Sequence, residues 1–91
     1  MAWIHYDRSA ILTVKNNVIT RSPRIGVSSE GGGRTWLLHI RDVQRADQGA
    51  YMCQINTAKA KTRLGYLNVV GRAEKMDIFC RLFEPVRLPI P

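Results

Sequence analysis

The stretch Asp47-Gln-Gly-Ala-Tyr-Met-Cys53 decides the fold of this chain. Its first half is typical of a tight turn, because Asp47 and Gly49 both favour turn conformations. Its second half begins a strand, and Tyr51 and Cys53 share one face of it because side chains alternate with a period of two. From that face the Tyr51 hydroxyl can reach a backbone group near Asp47, and Asp47 can pair with Arg24. We therefore predict a corner in which these five residues are structural.

Short extended segments separated by turn signals surround this corner. Apolar and polar residues alternate in several of them, as in half-buried strands, and Gly31-Gly32-Gly33 marks one flexible turn. The only helix-like piece is Asp42–Ala46, which is long enough for about one turn. The extended segments are Ala2–Tyr6, Ala10–Lys15, Val18–Thr20, Arg24–Ser28, Arg34–Ile40, Ala50–Asn56 and Arg63–Val70. Their succession predicts an all-β fold, an antiparallel sandwich or barrel.

The length and composition exclude several classes of protein. A chain of 91 residues with 45% hydrophobic side chains makes one small domain at most. No apolar run approaches the roughly 20 residues that cross a bilayer, and Asp7 and Arg8 interrupt any signal peptide at the start. The net charge of +7 comes from Lys and Arg spread singly along the chain. This pattern favours a solvated basic surface, and a small basic protein that binds nucleic acid or anionic surfaces is the alternative function.

Residues 71–91 differ in character from the first 70. They contain three of the four prolines and show no clean alternation. We therefore predict an irregular tail or linker without a domain of its own, with a weak signal for a short amphipathic helix over Lys75–Phe83. Cys53 is expected to be a buried thiol and Cys80 a free tail thiol, in preference to a disulfide between them.

The polar residues do not predict a reaction centre. Cys53 and Cys80 lack a companion at metal-ligand spacing, and His5 and His39 fall on strands assigned to different sheets. We therefore expect a non-enzymatic chain with no catalytic residue, no cofactor and no metal site.

The corner and its neighbours resemble a known family. Asp47-x-Gly-x-Tyr-x-Cys53 matches the turn and strand of immunoglobulin (Ig) domains that carry the tyrosine corner and the second disulfide cysteine. The runs AWIHYDRSAILTV, VITRSPRIGV, RTWLLHI, YMCQINT and LGYLNVV resemble the first Ig domain of insect Dpr-interacting proteins, neuronal receptors akin to lachesin. The resemblance covers residues 2–70. It implies a variable-type Ig β-sandwich over residues 1–70, strands C to G, in which Trp3 is the tryptophan that packs beside Cys53.

The resemblance also implies a biological role. Members of the family have three extracellular Ig domains and commonly a membrane anchor, and their first domain binds the first domain of Dpr proteins in synaptic partner choice. This implies a recognition and adhesion module at the cell surface, with membrane contact only through anchor regions outside this chain and with no nucleic-acid partner.

The family domain differs from this chain at both ends. It begins earlier, with strands that include the first disulfide cysteine, and it continues differently after Val70. We therefore interpret the chain as an N-terminally truncated fragment or alternative gene product, with a non-functional partial gene model as a further alternative. A domain without those strands and without its disulfide is expected to fold poorly, to aggregate or to dimerise through open sheet edges.

Strand parity predicts which side chains face solvent. If Trp3, Tyr51 and Cys53 point inward, the opposite face of the same sheet carries apolar and amide side chains, as a protein-binding patch does. For the strand Ala10–Lys15, parity leaves open whether Ile11 and Thr13 or Leu12 and Val14 lie on that face. In the resembling family this face binds the partner, and it is also available for a homodimer. The predicted partner-binding residues are Ile4, Tyr6, Ile11, Thr13, Met52, Gln54, Asn56, Leu64 and Tyr66.

Overall fold

The computed structural model describes residues 1–55 and 61–81, and within them the chain forms strands and two short 3-10 turns. The strands are β1 (Ala2–His5), β2 (Ala10–Val14), β3 (Asn17–Val18), β4 (Ile25–Glu30), β5 (Thr35–Val43), β6 (Gly49–Ile55), β7 (Lys61–Leu67) and β8 (Ala73–Arg81). The 3-10 turns are Tyr6–Arg8 and Arg45–Asp47. In the described part of the chain, no helix is long and apolar enough to span a membrane.

The strands make two antiparallel sheets. The five-stranded sheet has the order β3-β2-β1-β6-β7, and the three-stranded sheet has the order β4-β5-β8. A glycine-rich turn joins β4 to β5, and Gly31, Gly32 and Gly33 all have positive φ in it. The all-β prediction, with two antiparallel sheets, is confirmed.

The core lies between the two sheets and follows the period of two. Trp3 from β1 and Tyr51 from β6 are 0% and 1% exposed, and Leu38 and Ile40 from β5 are fully buried. Burying side chains of this size stabilises the fold by about 1.5–3 kcal/mol each. The inward direction of Trp3 and Tyr51 fixes the opposite direction for their strand neighbours, which places those neighbours on the outer face.

Strand β8 corrects the prediction of an irregular tail. Ala73–Arg81 pairs with β5 along its length, and Ile78 and Cys80, which lie opposite Leu38 and Trp36, are both 0% exposed. The helix signal over Lys75–Phe83 is therefore wrong for the described residues, which end at Arg81. The physical reason is that Met76, Ile78 and Cys80 are apolar at every second position and fit the core side of β5.

The two cysteines form a disulfide, which corrects the prediction of two free thiols. Cys53 on β6 and Cys80 on β8 are bonded across the sandwich with a Cα–Cα distance of 6.4 Å. Both side chains are fully buried. The pairing follows from the register of β8, because Cys80 points into the same core as Cys53. The disulfide therefore joins the five-stranded sheet to the three-stranded sheet.

Candidate recognition face

The outer face of the five-stranded sheet carries a row of apolar side chains that crosses four strands. Ile4 on β1 lies opposite Ile11 on β2 and, on its other side, opposite Met52 on β6. Met52 in turn lies opposite Leu64 on β7. Side chains directly opposite each other in antiparallel strands are close enough to touch. Ile11, Ile4, Met52 and Leu64 therefore form one continuous set, which we call the apolar row.

The ends of the apolar row are open to solvent and its middle is partly covered. Ile11 and Leu64 are 52% and 57% exposed, whereas Ile4 and Met52 are half-buried. Tyr66 follows Leu64 by two residues on β7, lies opposite Ala50 on β6 and is 57% exposed. Large apolar side chains exposed next to one another, and not singly, mark an interaction surface.

A second row beside it adds polar groups. Gln54 on β6 lies opposite Ala2 on one side and Thr62 on the other, and Ala2 lies opposite Val14 on β2. Gln54 carries both a donor and an acceptor group, so it can bond an amide or a backbone group of a partner. The two rows, together with Ala50 and Tyr66, form a surface that we call the recognition face.

A β-bulge decides which residues of β2 lie on the recognition face. The pairing of β1 with β2 shifts between Trp3, which lies opposite Thr13, and Ile4, which lies opposite Ile11. Leu12 is the extra residue, so Leu12 and Thr13 both point into the core, where they are 7% and 0% exposed. The prediction that Thr13 lies on the outer face is therefore wrong, because strict alternation does not hold across a bulge. Val14, 39% exposed, takes that position on the outer face.

Two further predicted residues are not assigned to the recognition face. Tyr6 is 54% exposed but belongs to the 3-10 turn Tyr6–Arg8, because β1 ends at His5. Strand parity therefore does not fix the direction of the Tyr6 side chain. Asn56 lies outside the described residues.

The corner that begins β6 is held by a charged pair. The Arg24 guanidinium donates two hydrogen bonds to the Asp47 carboxylate, with N···O distances of 2.7 and 2.8 Å. Arg24 also donates to the carbonyl of Asp42 at 3.0 Å, and the Tyr51 hydroxyl donates to the carbonyl of Asp47. This bidentate arrangement fixes β4, the 3-10 turn Arg45–Asp47 and β6 relative to one another at one end of the sandwich.

The pair changes the acidity of its members. Burial alone would raise the pKa of Asp47, but hydrogen bonds from Arg24 and from the Gln44 backbone amide bring that pKa below its ordinary value. The hydrogen bond to Asp47 raises the pKa of Arg24, against the opposing effect of burial. Burial raises the pKa of the Tyr51 phenol, so this hydroxyl stays protonated and remains a donor.

Gly49 is required at the first position of β6. Its φ of +140° lies in a region that other residues rarely adopt. A Cβ atom there would overlap the Asp7 carboxylate and would lie 3.0 Å from the His5 ring. Asp7 is held in that place by the Ala50 amide, which donates to it at 2.8 Å. The 3-10 turn Tyr6–Arg8 therefore approaches β6 so closely that it excludes a side chain at position 49.

The three-stranded sheet has a polar cluster on its own outer face that the sequence did not predict. Ser28 Oγ on β4 lies 2.7 Å from His39 Nε2 on β5, and His39 Nδ1 donates to the Asp77 carboxylate on β8 at 2.7 Å. The period of two places His39 outward, but nothing in the sequence brings Asp77 to it, because that contact depends on the pairing of β8. The cluster ties the three strands together across their outer face.

Comparison with known proteins identifies the fold family. No family model matches the chain. It is 34% identical over 70 residues to the Zwei Ig domain protein zig-8 of Caenorhabditis elegans, an alignment that covers 77% of this chain and 26% of zig-8. It is also similar to a chain in the crystal structure of Dpr1 IG1 bound to DIP-eta IG1. There the TM-score is 0.70 and the identity 46%, over 76% of this chain and 65% of that chain. Both are Ig domain proteins and not enzymes.

The position of the disulfide agrees with these similarities. In Ig domains the inter-sheet disulfide joins strand F, which follows the tyrosine corner, to strand B, which neighbours strand E. Here β6 carries the corner and Cys53, β5 precedes the corner, and β8 lies beside β5 with Cys80. The chain spans about a quarter (26%) of the length of zig-8, and 65% of the solved chain. The sheets, the corner, the disulfide and both similarities together show that this chain has an immunoglobulin-like fold.

Proposed function

We propose that the chain is a cell-surface recognition module whose recognition face binds the Ig domain of a Dpr-type protein. The observation that carries this proposal is the apolar row from Ile11 to Leu64, which crosses four strands and is open at both ends. The similar solved chain comes from a complex of two Ig domains, which supports an Ig domain as the partner.

The chemistry of the recognition face favours a protein partner over an anionic polymer. Its described residues are Ala2, Ile4, Ile11, Val14, Ala50, Met52, Gln54, Thr62, Leu64 and Tyr66, and none of them is charged. Depletion of charge at the centre with aromatic and Met side chains is typical of protein interfaces. Phosphate binding would instead need basic side chains, and none of the described residues of the face is basic. The net charge of +7 therefore does not define the partner of this face.

The middle of the apolar row is the expected anchor of the interface. Ile4 and Met52 are already half-buried, so a partner placed over them would remove the rest of their surface from water. Residues at the centre of an interface contribute most to affinity, and residues at its rim contribute less. Gln54 would supply the hydrogen bond that fixes the orientation of the partner.

The disulfide supports a location outside the cytosol. Disulfides such as Cys53–Cys80 persist in secreted and cell-surface proteins, where the surroundings are oxidising. We propose an extracellular location at the plasma membrane, as the resemblance to neuronal receptors implies.

Binding of purified Dpr1 IG1 to the immobilised chain, measured by surface plasmon resonance, tests the proposal. Leu64→Asp puts a charge on the apolar row at an exposed position, so we expect at least about a tenfold loss of affinity with no loss of folding. Val70→Asp is the matched control, because Val70 is 77% exposed and lies after β7, off the recognition face.

The salt dependence of binding provides the second criterion. An interface centred on apolar contacts should keep its affinity as the salt concentration rises, whereas binding through phosphate groups would weaken steeply. Failure of Dpr-type Ig domains to bind, or equal binding by the Leu64→Asp and Val70→Asp variants, would contradict the proposal.

A further inference from the structure

Strand β8 lies at the edge of the three-stranded sheet. It pairs with β5 on one side, and among the described residues no strand pairs with it on the other. Ala73–Arg81 is nine residues long, which is long for an edge strand. Along residues 73–79, the outer side of β8 carries backbone groups that no described strand pairs with. Such an edge favours addition of a further strand.

The outward side chains of β8 carry opposite charges two residues apart. Lys75 and Asp77 lie opposite Arg41 and His39 of β5, on the outer side of the sheet. The Lys75 side chain is 60% exposed and the Asp77 side chain 29%. Within one copy, the Lys75 Nζ atom is 3.9 Å from one Asp77 carboxylate oxygen, at the long limit of an ion pair, and the other oxygen accepts from His39. This arrangement is complementary to itself when the strand direction is reversed.

We propose that two copies of the chain pair antiparallel through β8, with Met76 on the twofold axis. In this register Lys75 of each copy lies opposite Asp77 of the other, which gives two favourable cross-strand pairs. In this register odd-numbered residues lie opposite odd-numbered residues and even-numbered opposite even-numbered. The core sides of the two three-stranded sheets therefore lie on the same side of the combined sheet. The product is one continuous sheet with the order β4-β5-β8-β8-β5-β4.

Other registers are less favourable. An axis at Lys75 or at Asp77 places identical charges opposite each other, which is destabilising. An axis at Phe79 pairs Asp77 with Arg81, but it pairs only the five described residues Asp77–Arg81, against the seven of Ala73–Phe79. The charges therefore specify the register centred on Met76.

The proposed dimer leaves the recognition face free. The edge of β8 belongs to the three-stranded sheet, whereas the apolar row belongs to the five-stranded sheet. The two surfaces lie on different layers of the sandwich, so one copy can use both at once. A dimer formed through β8 would present two recognition faces to a partner membrane, and their joint binding would be stronger than that of either face alone.

Sedimentation velocity of the oxidised full-length chain, from micromolar to millimolar concentration, tests the proposal. We expect a concentration-dependent dimer. Lys75→Asp turns both attractive pairs into repulsions and should raise the dimer dissociation constant about tenfold, which corresponds to about 1.4 kcal/mol. Arg34→Asp is the matched control, because it makes the same change of charge on the exposed turn between β4 and β5. The double variant Lys75→Asp, Asp77→Lys restores both pairs and should return the constant toward that of the unchanged chain.

Three results would overturn the proposal. The first is a monomer at all concentrations. The second is a Lys75→Asp variant that dissociates no more than the Arg34→Asp control. The third is a dimer that Leu64→Asp abolishes, because that dimer would form through the recognition face. Near-ultraviolet circular dichroism confirms that each variant is folded. Failure of this dimer leaves the Dpr1 IG1 measurement unaffected, since the two tests use different surfaces.

Discussion

The two strands that share the disulfide are held in very different ways. β6 lies inside the five-stranded sheet, with β1 on one side and β7 on the other, and its first residues are fixed by the Arg24–Asp47 pair. β8 lies at a sheet edge with β5 as its strand neighbour in the described structure. Both strands bury their cysteine completely. The same covalent bond therefore joins a central strand of one sheet to a strand at the edge of the other.

The difference indicates where stability is concentrated. Loss of any one contact of β6 leaves several others. Within the described residues, β8 is held by one row of backbone hydrogen bonds to β5, by Ile78 and Met76 in the core, by the His39–Asp77 hydrogen bond and by the disulfide. Edge strands open more easily than central strands in native-state exchange. We expect that the disulfide contributes more to the retention of β8 than to the retention of β6.

Removal of the disulfide should have the largest effect. Cys53 and Cys80 are separated by 27 residues, and closing a loop of that length constrains the unfolded chain by about 3–4 kcal/mol. The variant Cys53→Ala, Cys80→Ala should lose that much of its free energy of unfolding, measured with urea. Hydrogen exchange should show amides of β8 losing protection before those of β6. Simultaneous loss of protection in both strands would contradict the comparison.

Breaking the charged pair should come next, and its effect should fall on β6. Arg24→Met leaves the Asp47 carboxylate without its cation, and with both side chains partly exposed we expect a loss of about 2 kcal/mol at neutral pH. The pKa of Asp47 is lowered in the folded state, so this stabilisation is present above about pH 4 and is lost as the pH falls through the lowered pKa. Urea unfolding at a series of pH values should therefore show the two proteins converging in acid. Arg21→Met, at an exposed position, is the control.

The substitution Gly49→Ala should disturb the same end of β6 by sterics. The added Cβ would meet Asp7 and His5, and alanine disfavours a φ of +140°, so we expect a loss of about 1–3 kcal/mol. Gly32→Ala serves as the control, because Gly32 also has positive φ but has no atom within 4 Å of its added Cβ. The loss of stability on thermal unfolding of Gly32→Ala measures the cost of the backbone conformation alone. The additional loss in Gly49→Ala measures the cost of the steric overlap with Asp7 and His5. Equal losses would mean that the contact with Asp7 is unimportant.

Removal of the His39 side chain should have the smallest effect and should be confined to the three-stranded sheet. His39→Ala breaks the hydrogen bond to Asp77 that links β5 to β8, and partly exposed bonds of this kind contribute about 1 kcal/mol. Exchange of β8 amides should accelerate, while that of β6 amides should not change. A uniform acceleration in both strands would show that the cluster stabilises the whole domain and not one strand.

The features that could be predicted from sequence are those with local causes. The turn at Asp47 and Gly49 and the strand after it follow from residues adjacent in the chain, and alternation alone gives the inward direction of Trp3 and Tyr51. The Ig resemblance rests on the same residues. The partner-binding role of the outer face remains a prediction, because no contact in an isolated chain tests it.

The features that could not be predicted depend on distant residues or on breaks in alternation. Thr13 is buried because Leu12 adds one residue to β2, and no residue type in that strand announces a bulge. Ala73–Arg81 alternates at Met76, Ile78 and Cys80, but Phe79 interrupts the pattern and hides it. β8 lies beside β5 because it pairs along the edge of β5, and no local sequence pattern encodes that pairing. The disulfide depends on the same pairing.

The order of the strands along the chain has a consequence for biosynthesis. Cys80 emerges 27 residues after Cys53, and at about 5–20 residues per second this interval lasts roughly 1–5 s. During that interval Cys53 is a thiol without its partner, and the three-stranded sheet lacks β8. A growing chain stalled just before residue 80 would therefore expose a reactive sulfur and an unfinished sheet edge to other chains. Oxidation of this domain has to wait for its last described strand, whereas a domain with its partner cysteine ahead of the corner could close the bond as soon as the corner strand emerged.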